Sequence, residues 1–316
     1  MSTATADVSK RRAWVMAARP QTLPAGSAPV IVGAGLALHD GVFASLPWLA
    51  ALAGALLLQI GTNFANDYYD AVNGADTDDR EGFTRVTAGG LIPARQVKYA
   101  MAATYGLAVV VGVYLVAVGG VPILVVGLTS IAAGILYTGG PYPYGYRGLG
   151  DLFVFVYFGV VAVTGTYYVQ AVATSDVGLF PTWLPPEVGL ATAVVASLPA
   201  AGLSTAILVV NNVRDRETDA EAGKRTLAVM FGYRFSRLEF LALVGMAYVV
   251  PIGFALDDAF GLPALAPLLS LPLAASVSKT VLRRTDGEAL NPALERVGQT
   301  VFVHSVLFAL GLALTA

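Results

Sequence analysis

The 316-residue chain has no cysteine and only two histidines, His39 and His304, far apart. Disulfides and thiolate chemistry are therefore excluded, and so is a histidine-rich metal centre. Any metal must be held by oxygen, which suits Mg, Ca or Mn. Charge is scarce as well. Asp, Glu, Lys and Arg make up 13% of the residues against 56% hydrophobic, where soluble domains carry about 25% charged. That composition belongs to an integral membrane protein. The P-loop pattern GxxxxGK[ST] is also missing.

The first residues are basic and mildly amphipathic, SKRRAWVMAARPQTLPAG. No apolar run with a small-residue cleavage site follows, and Arg19 and Pro20 interrupt the apolar stretch that a twin-arginine signal needs. The reading is an interfacial segment over 1–22, with Trp14 at headgroup level, followed by one transmembrane domain over 23–316.

A spanning helix needs about 20 mostly apolar residues. Candidates are 23–38, 44–64, 97–117, 121–138, 151–173, 188–210, 235–255, 260–279 and 297–315, which predicts an all-α bundle of nine spans. Charge tests the count. With nine spans, all 19 Lys and Arg residues fall on one side, at the N-terminus, in the connecting loops or at helix ends. The opposite side holds Asp40, Asp176, Glu187, Asp257 and Asp258 without a single Lys or Arg. The positive-inside rule makes the first side cytoplasmic. The plasma membrane is the expected location, with the N-terminus inside and the C-terminus outside. No nucleic-acid partner is expected.

Two acidic loops lie on the cytoplasmic side. NFANDYYDAVNGADTDDRE (63–81) follows the second span, and NNVRDRETDAEAGKRTLAV (211–229) follows the sixth. Their layouts match: Asn66-x3-Asp70-x3-Gly74 against Asn211-x3-Asp215-x3-Asp219-x3-Gly223. On helices continuing past the membrane, Asn66 and Asp70 share one face, and Asn211, Asp215 and Asp219 form a stripe. Two such stripes facing each other make a divalent-cation site. Carboxylates alone would suggest a metal buffer. Here Arg80, Arg85, Lys224 and Arg225 are interleaved with them, which suggests a metal-bound polyanion such as a diphosphate. The plainer alternative is that these are solvated loops whose basic residues only set topology. Asp78, Asp79, Glu217 and Glu221 fit no stripe and read as solvated.

A third cytoplasmic segment, YTGGPYPYGYRGLGD (137–151), is too rich in Gly and Pro for a regular helix. Two readings stand. Tyr142, Tyr144 and Tyr146 wall a pocket with Arg147 on an anionic group, or the segment is a tight turn with interfacial tyrosines. Arg85 in RVTAGG likewise either meets a phosphate or belongs to the turn into the third span. His304 reads as a helix-packing residue.

Taken together, Asn66-Asp67-x2-Asp70 with Gly74 and Asp76, then Asp215-x3-Asp219-x3-Gly223-Lys224-Arg225-Thr226, resemble the UbiA superfamily of intramembrane aromatic prenyltransferases. Arg19-Pro20-x-Thr22-Leu23-Pro24-Ala25, NDYYD…GADTDDR and TGGPYPYGYRGLGD resemble its menaquinone branch, whose acceptor is 1,4-dihydroxy-2-naphthoate. The resemblance implies two Asp-rich cytoplasmic loops on a nine-helix bundle. It implies that Asn66, Asp70, Asn211, Asp215 and Asp219 hold Mg²⁺, two ions in number, with Mn²⁺ the alternative. Arg85, Lys224, Arg225 and Arg147 then meet a polyprenyl diphosphate, and Tyr142 and Tyr144 border the aromatic acceptor. Asp67 or Asp76 assists deprotonation of a ring hydroxyl, and Arg147 joins them in catalysis. Because Asp76 follows Gly74, Asn73 and Asp76 remain alternatives for one inner ligand.

Rival readings are a relative acting on 4-hydroxybenzoate or homogentisate, a CDP-alcohol phosphotransferase and a transporter. The phosphotransferase motif DGxxAR is absent. A transporter places ionisable groups near the bilayer midplane, whereas the acids here lie almost entirely at helix ends and loops.

Overall fold

The computed structural model describes residues 8–74, 85–186 and 188–315. Asp76, Asp78, Asp79, Arg80, Glu81 and Glu187 lie outside these, so the expectations placed on them are not addressed below. All regular structure among the described residues is helical.

A short helix, α1 (Lys10–Ala18), is capped by the Ser9 side chain and stops at Arg19, whose backbone is left-handed at φ 50. Pro20 then opens a single tight turn into α2 (Leu23–His39). Next come α3 (Ser45–Val72) and the 43-residue α4 (Ala94–Leu136). The segment Gly150–Thr174 comprises α5 (Gly150–Phe155), a widened π turn over Val156–Val161 and α6 (Ala162–Thr174). The rest is α7 (Ala191–Arg214), the short α8 (Arg216–Glu221), α9 (Leu227–Ala255), α10 (Leu271–Val281) and α11 (Gly287–Ala313).

Among the described residues, eight helical stretches are long and apolar enough to cross a membrane. This is one fewer than the nine expected, and the difference lies in α4. A continuous helix of that length would run about 64 Å, twice the roughly 30 Å hydrocarbon core. Gly120 breaks it, with φ 65 and ψ −150. The two parts lie side by side: a Cβ on Gly134 would come within 2.5 Å of the Tyr105 hydroxyl oxygen, and one on Gly61 of α3 within 2.9 Å of the same ring. Around the break, Val121 N–H donates to Pro181 O at 3.0 Å and Phe180 N–H to Ala117 O at 3.0 Å. Backbone groups freed by the turn are thus satisfied, as an apolar environment demands.

The middle of the bundle is α2 and α7. Both are rich in Ala and Gly, because in lipid helices gain by close van der Waals approach rather than by apolar burial alone. At Gly33 a Cβ would sit 2.7 Å from Val163 O on α6, and at Gly35 2.4 Å from the Ala309 Cα on α11. On α7, Ala196, Ala200, Leu203, Ala206 and Val210 are all fully buried. Since α3 and α7 both end on Asp-bearing turns, packing them into one bundle fixes where those turns can meet.

Candidate active site

One cavity of about 620 Å³ collects the polar ends of α3 and α7, the Tyr144–Arg147 turn and the start of α9. Asn66, Asp70, Arg85, Asn211, Asp215, Asp219 and Lys224 all line it. Deeper down its walls are apolar, among them Val109, Val113, Ile123, Leu128, Phe158 and Val169.

Three carboxylates at this end of the cavity, Asp70, Asp215 and Asp219, each face a cation. Asp70 is buried and takes Arg85 Nη2 at 2.7 Å, and it also accepts from the Tyr146 hydroxyl. Asp215 caps α7 and is gripped by Arg214 through Nε at 2.7 Å and Nη2 at 2.6 Å. Asp219, one helical turn on, lies 3.2 Å from Lys224 Nζ. Each of these three pairs is neutral in formal charge, and Arg19 and Glu295 also line the cavity. The donors are hard carboxylate and amide oxygens, the set that suits Mg²⁺. Among the described residues, however, no three acidic or histidine side chains converge into a ready metal cage. The Asp residues face their cations, and the two acidic stripes share one cavity without closing on a common point.

Backbone contacts tie the loops together. Arg225 N–H donates to Tyr146 O at 2.8 Å, and Lys224 Nζ lies 5.0 Å from the Tyr146 ring centroid. Asn73 Nδ2 donates to Thr138 O at 3.0 Å, and Thr138 Oγ1 to Asn66 Oδ1 at 3.1 Å. Tyr144 is buried, stacks on Phe153 at 4.1 Å and donates its hydroxyl to Ala133 O at 2.7 Å. Burial pushes the Tyr144 phenol above its ordinary range, with smaller contributions from Tyr157 and Tyr105. It stays neutral near pH 7.

Other expected site residues stand elsewhere. Asp67 points away from the cavity. Its carboxylate accepts from Val86 N–H at 3.2 Å, Thr87 N–H at 3.1 Å and Thr87 Oγ1 at 2.5 Å, with Arg19 Nη2 at 3.9 Å. Such an engaged carboxylate anchors the turn that carries Arg85, and is badly placed to take a substrate proton. Arg147 is exposed and sits 4.3 Å over the exposed Tyr142 ring. Neither lines the cavity, and neither does the exposed Arg225.

Arg214 was not among the residues singled out from sequence. It is 95% buried, and besides Asp215 it donates to Asn211 Oδ1 and, at 2.8 Å, to Asn291 Oδ1 on α11. Its signal, a basic residue next to the Asp, looked like any topology-setting charge. Gln59 and Asn63 were missed as well. Polar residues inside LLLQIGTNF were the available signal.

Comparison with known proteins agrees with this architecture. The model of the UbiA prenyltransferase family matches residues 27–307. The 1,4-dihydroxy-2-naphthoate octaprenyltransferase of Escherichia coli K12 is 38% identical over 98% of this chain and 97% of its own length. The protein of the same description from Mycobacterium tuberculosis H37Rv is 39% identical over 95% and 96%. Among solved structures, a UbiA homolog from Aeropyrum pernix K1 superposes with TM-score 0.65 at 15% identity, covering 92% of this chain and 96% of that one. A UbiA homolog from Archaeoglobus fulgidus bound to DMAPP and Mg²⁺ gives 0.60 at 14%, covering 93% and 98%. At such identities the structures speak for the fold alone.

Proposed function

The chain belongs to the UbiA prenyltransferase family, and from that premise we propose that it prenylates 1,4-dihydroxy-2-naphthoate. A polyprenyl diphosphate supplies the chain, CO₂ and diphosphate leave, and demethylmenaquinol forms. The observation carrying this reading is the near full-length similarity to enzymes of that description in two distant bacteria. The cavity supports it, being acidic and basic at one end and apolar over most of the rest. The protein is a multi-pass membrane protein; we assign it to the plasma membrane, with the loops rich in basic residues on the cytoplasmic side by the positive-inside rule.

Asn66, Asp70, Asn211, Asp215 and Asp219 would hold Mg²⁺, which we assign as two ions; a UbiA homolog with this fold is bound to DMAPP and Mg²⁺. Bound Mg²⁺ supplies charge neutralisation to the leaving diphosphate. Arg85 and Lys224 border the same end of the cavity, where they would donate N–H groups to phosphate oxygens. Arg214 and Tyr146 orient Asp215 and Asp70. As the allylic C–O bond breaks, the apolar walls keep water from the developing cation. The ring carbon bearing the carboxylate attacks that allylic carbon. The ring–carboxylate bond then breaks, its electrons restore aromaticity, and CO₂ departs, so no base is required at that carbon.

The test is purified protein in nanodiscs with geranylgeranyl diphosphate, Mg²⁺ and either 1,4-dihydroxy-2-naphthoate or 4-hydroxybenzoate, followed by mass spectrometry. A decarboxylated, prenylated naphthoquinol from the first acceptor, abolished by EDTA, is expected. Product from the benzoate alone would reassign the acceptor.

A further inference from the structure

Three turns below the acidic end, the cavity wall carries polar atoms that the diphosphate chemistry does not use. Gln59 on α3 is 93% buried and Ser204 on α7 is 97% buried, and both line the cavity. Among the described residues, neither Gln59 Oε1 nor Ser204 Oγ has a hydrogen-bond partner. Other partnerless buried oxygens, such as Gln170 Oε1 and Ser305 Oγ, lie away from the cavity. Gln59 and Ser204 stand at matching depth. Gln59 is 11 positions before Asp70, and Ser204 is 11 before Asp215, or about 16 Å along each helix. Between them runs α2, whose Gly26 backbone packs on the Gln59 side chain and whose Ala28 packs with Leu203.

The Gln59 amide is held in one orientation. Its Nε2 donates to Thr22 Oγ1 at 2.9 Å and Asn63 Oδ1 at 3.3 Å. Asn63 Nδ2 donates to Ala18 O at 2.9 Å and Thr22 Oγ1 at 2.8 Å, and the Thr22 hydroxyl donates to Arg19 O at 2.9 Å. Every donor in this network is spent. Turning the amide over would set its oxygen against Asn63 Oδ1. Gln59 Oε1 is thereby left facing the cavity as a bare acceptor, a costly arrangement unless a ligand donates to it.

A prenyl chain has no donor to offer, whereas a ring hydroxyl does. The geometry points to Gln59 Oε1 and Ser204 Oγ as the groups that bind the two ring oxygens of a para-dihydroxy aromatic acceptor, one accepting from a hydroxyl and the other pairing with the second oxygen. This assignment rests on the aromatic prenyl transfer proposed above and adds the residues that select the acceptor. A site built to pair with a hydroxyl discriminates against the analogue lacking it more strongly than an apolar pocket does.

The test is calorimetric binding to the full-length protein in nanodiscs, without metal or prenyl donor. The ligands are 1,4-dihydroxy-2-naphthoate and its two deoxy analogues, 1-hydroxy- and 4-hydroxy-2-naphthoate. Wild type, Gln59→Leu, Gln59→Met and Ser204→Ala are compared. For wild type, loss of either hydroxyl should raise Kd about tenfold. Each Gln59 variant should bind the dihydroxy compound about tenfold more weakly and stop distinguishing one deoxy analogue, while Ser204→Ala stops distinguishing the other. KM for geranylgeranyl diphosphate should stay within about twofold, which also reports intact folding. Unchanged Kd, or weakening equal for all three ligands, would overturn the assignment and leave Gln59 as a packing residue for the Arg19 turn. If wild type neither binds nor prenylates the dihydroxy compound, the functional reading falls and takes this one with it. Turnover by wild type with no ligand-specific loss in the variants removes the subsite alone.

Discussion

Arg214 grips its own neighbour in sequence, Asp215, through two parallel bonds of 2.7 and 2.6 Å, and spends its remaining nitrogen on Asn291 of α11. The fork fixes the Asp215 carboxylate at the end of α7 and ties it to a helix near the other end of the chain. Lysine offers a point charge in place of a planar fork. Arg214→Lys should therefore keep the charge and lose the aim, lowering kcat about 10–100-fold, the usual cost of disturbing a residue that orients a metal ligand. Steady-state kinetics against Mg²⁺ concentration check this. Wild-type kcat with an unshifted Mg²⁺ requirement would reduce Arg214 to a topology charge.

Asp70→Ala and Asp215→Ala each remove one of the carboxylates assigned to Mg²⁺. Turnover should fall on the order of a thousandfold or more, and the variants should still elute as monodisperse protein in detergent. Wild type treated with EDTA should match them and recover with Mg²⁺. Substantial activity in either variant would remove the metal assignment.

Asp67 accepts three hydrogen bonds from the turn bearing Arg85. Asp67→Asn turns an amide donor toward those donors, at a cost of about 1.5–3 kcal/mol for hydrogen bonds to a charged group. Thermal unfolding in detergent should show a lowered Tm, and the KM for prenyl diphosphate should rise because Arg85 is no longer held. A kcat loss with unchanged KM and Tm would instead make Asp67 a proton acceptor.

Arg85 and Arg147 separate in the same way. Arg85 is mostly buried beside Asp70 and lines the cavity, whereas Arg147 lies over the exposed Tyr142 ring outside it. Arg85→Ala should raise the donor KM about 10–100-fold, and Arg147→Ala should leave it within about twofold. A large KM effect from Arg147→Ala would mean that the Tyr144–Arg147 turn closes onto substrate.

Much of this was legible because membrane physics is coarse. Long apolar runs and one-sided basic residues gave the helices, and matched Asn/Asp spacing gave the residues that share the cavity. Side-chain direction was not legible. Asp67 and Asp70 differ by three positions, yet one faces the Thr87 turn and the other the cavity, a choice made by the loop packed against α3. Arg147 looked like a phosphate ligand because a Gly-rich turn can aim either way. Gln59 was hidden because its local partner, Asn63 at i+4 on α3, looks like ordinary intrahelical pairing; Thr22 joins the two only once the turn before α2 packs on α3.

The break in α4 is the element on which the span count turns. A Cβ on Gly120 would meet Pro181 O at 1.8 Å, and its φ of +65 disfavours any L side chain. Gly106, in the same helix, has nothing within 4 Å of a built Cβ and no positive φ. Gly120→Ala should therefore cost about 1–3 kcal/mol in backbone strain alone, with the Pro181 clash added, and lower Tm by roughly 5 °C or more. Gly106→Ala should be neutral or gain about 0.5–1 kcal/mol, since Ala is the better helix residue. Unfolding of both variants in one detergent makes the comparison. Equal Tm values would mean that residues 94–136 form a helix needing no turn at Gly120, and the division into spans at 97–117 and 121–138 would then fail.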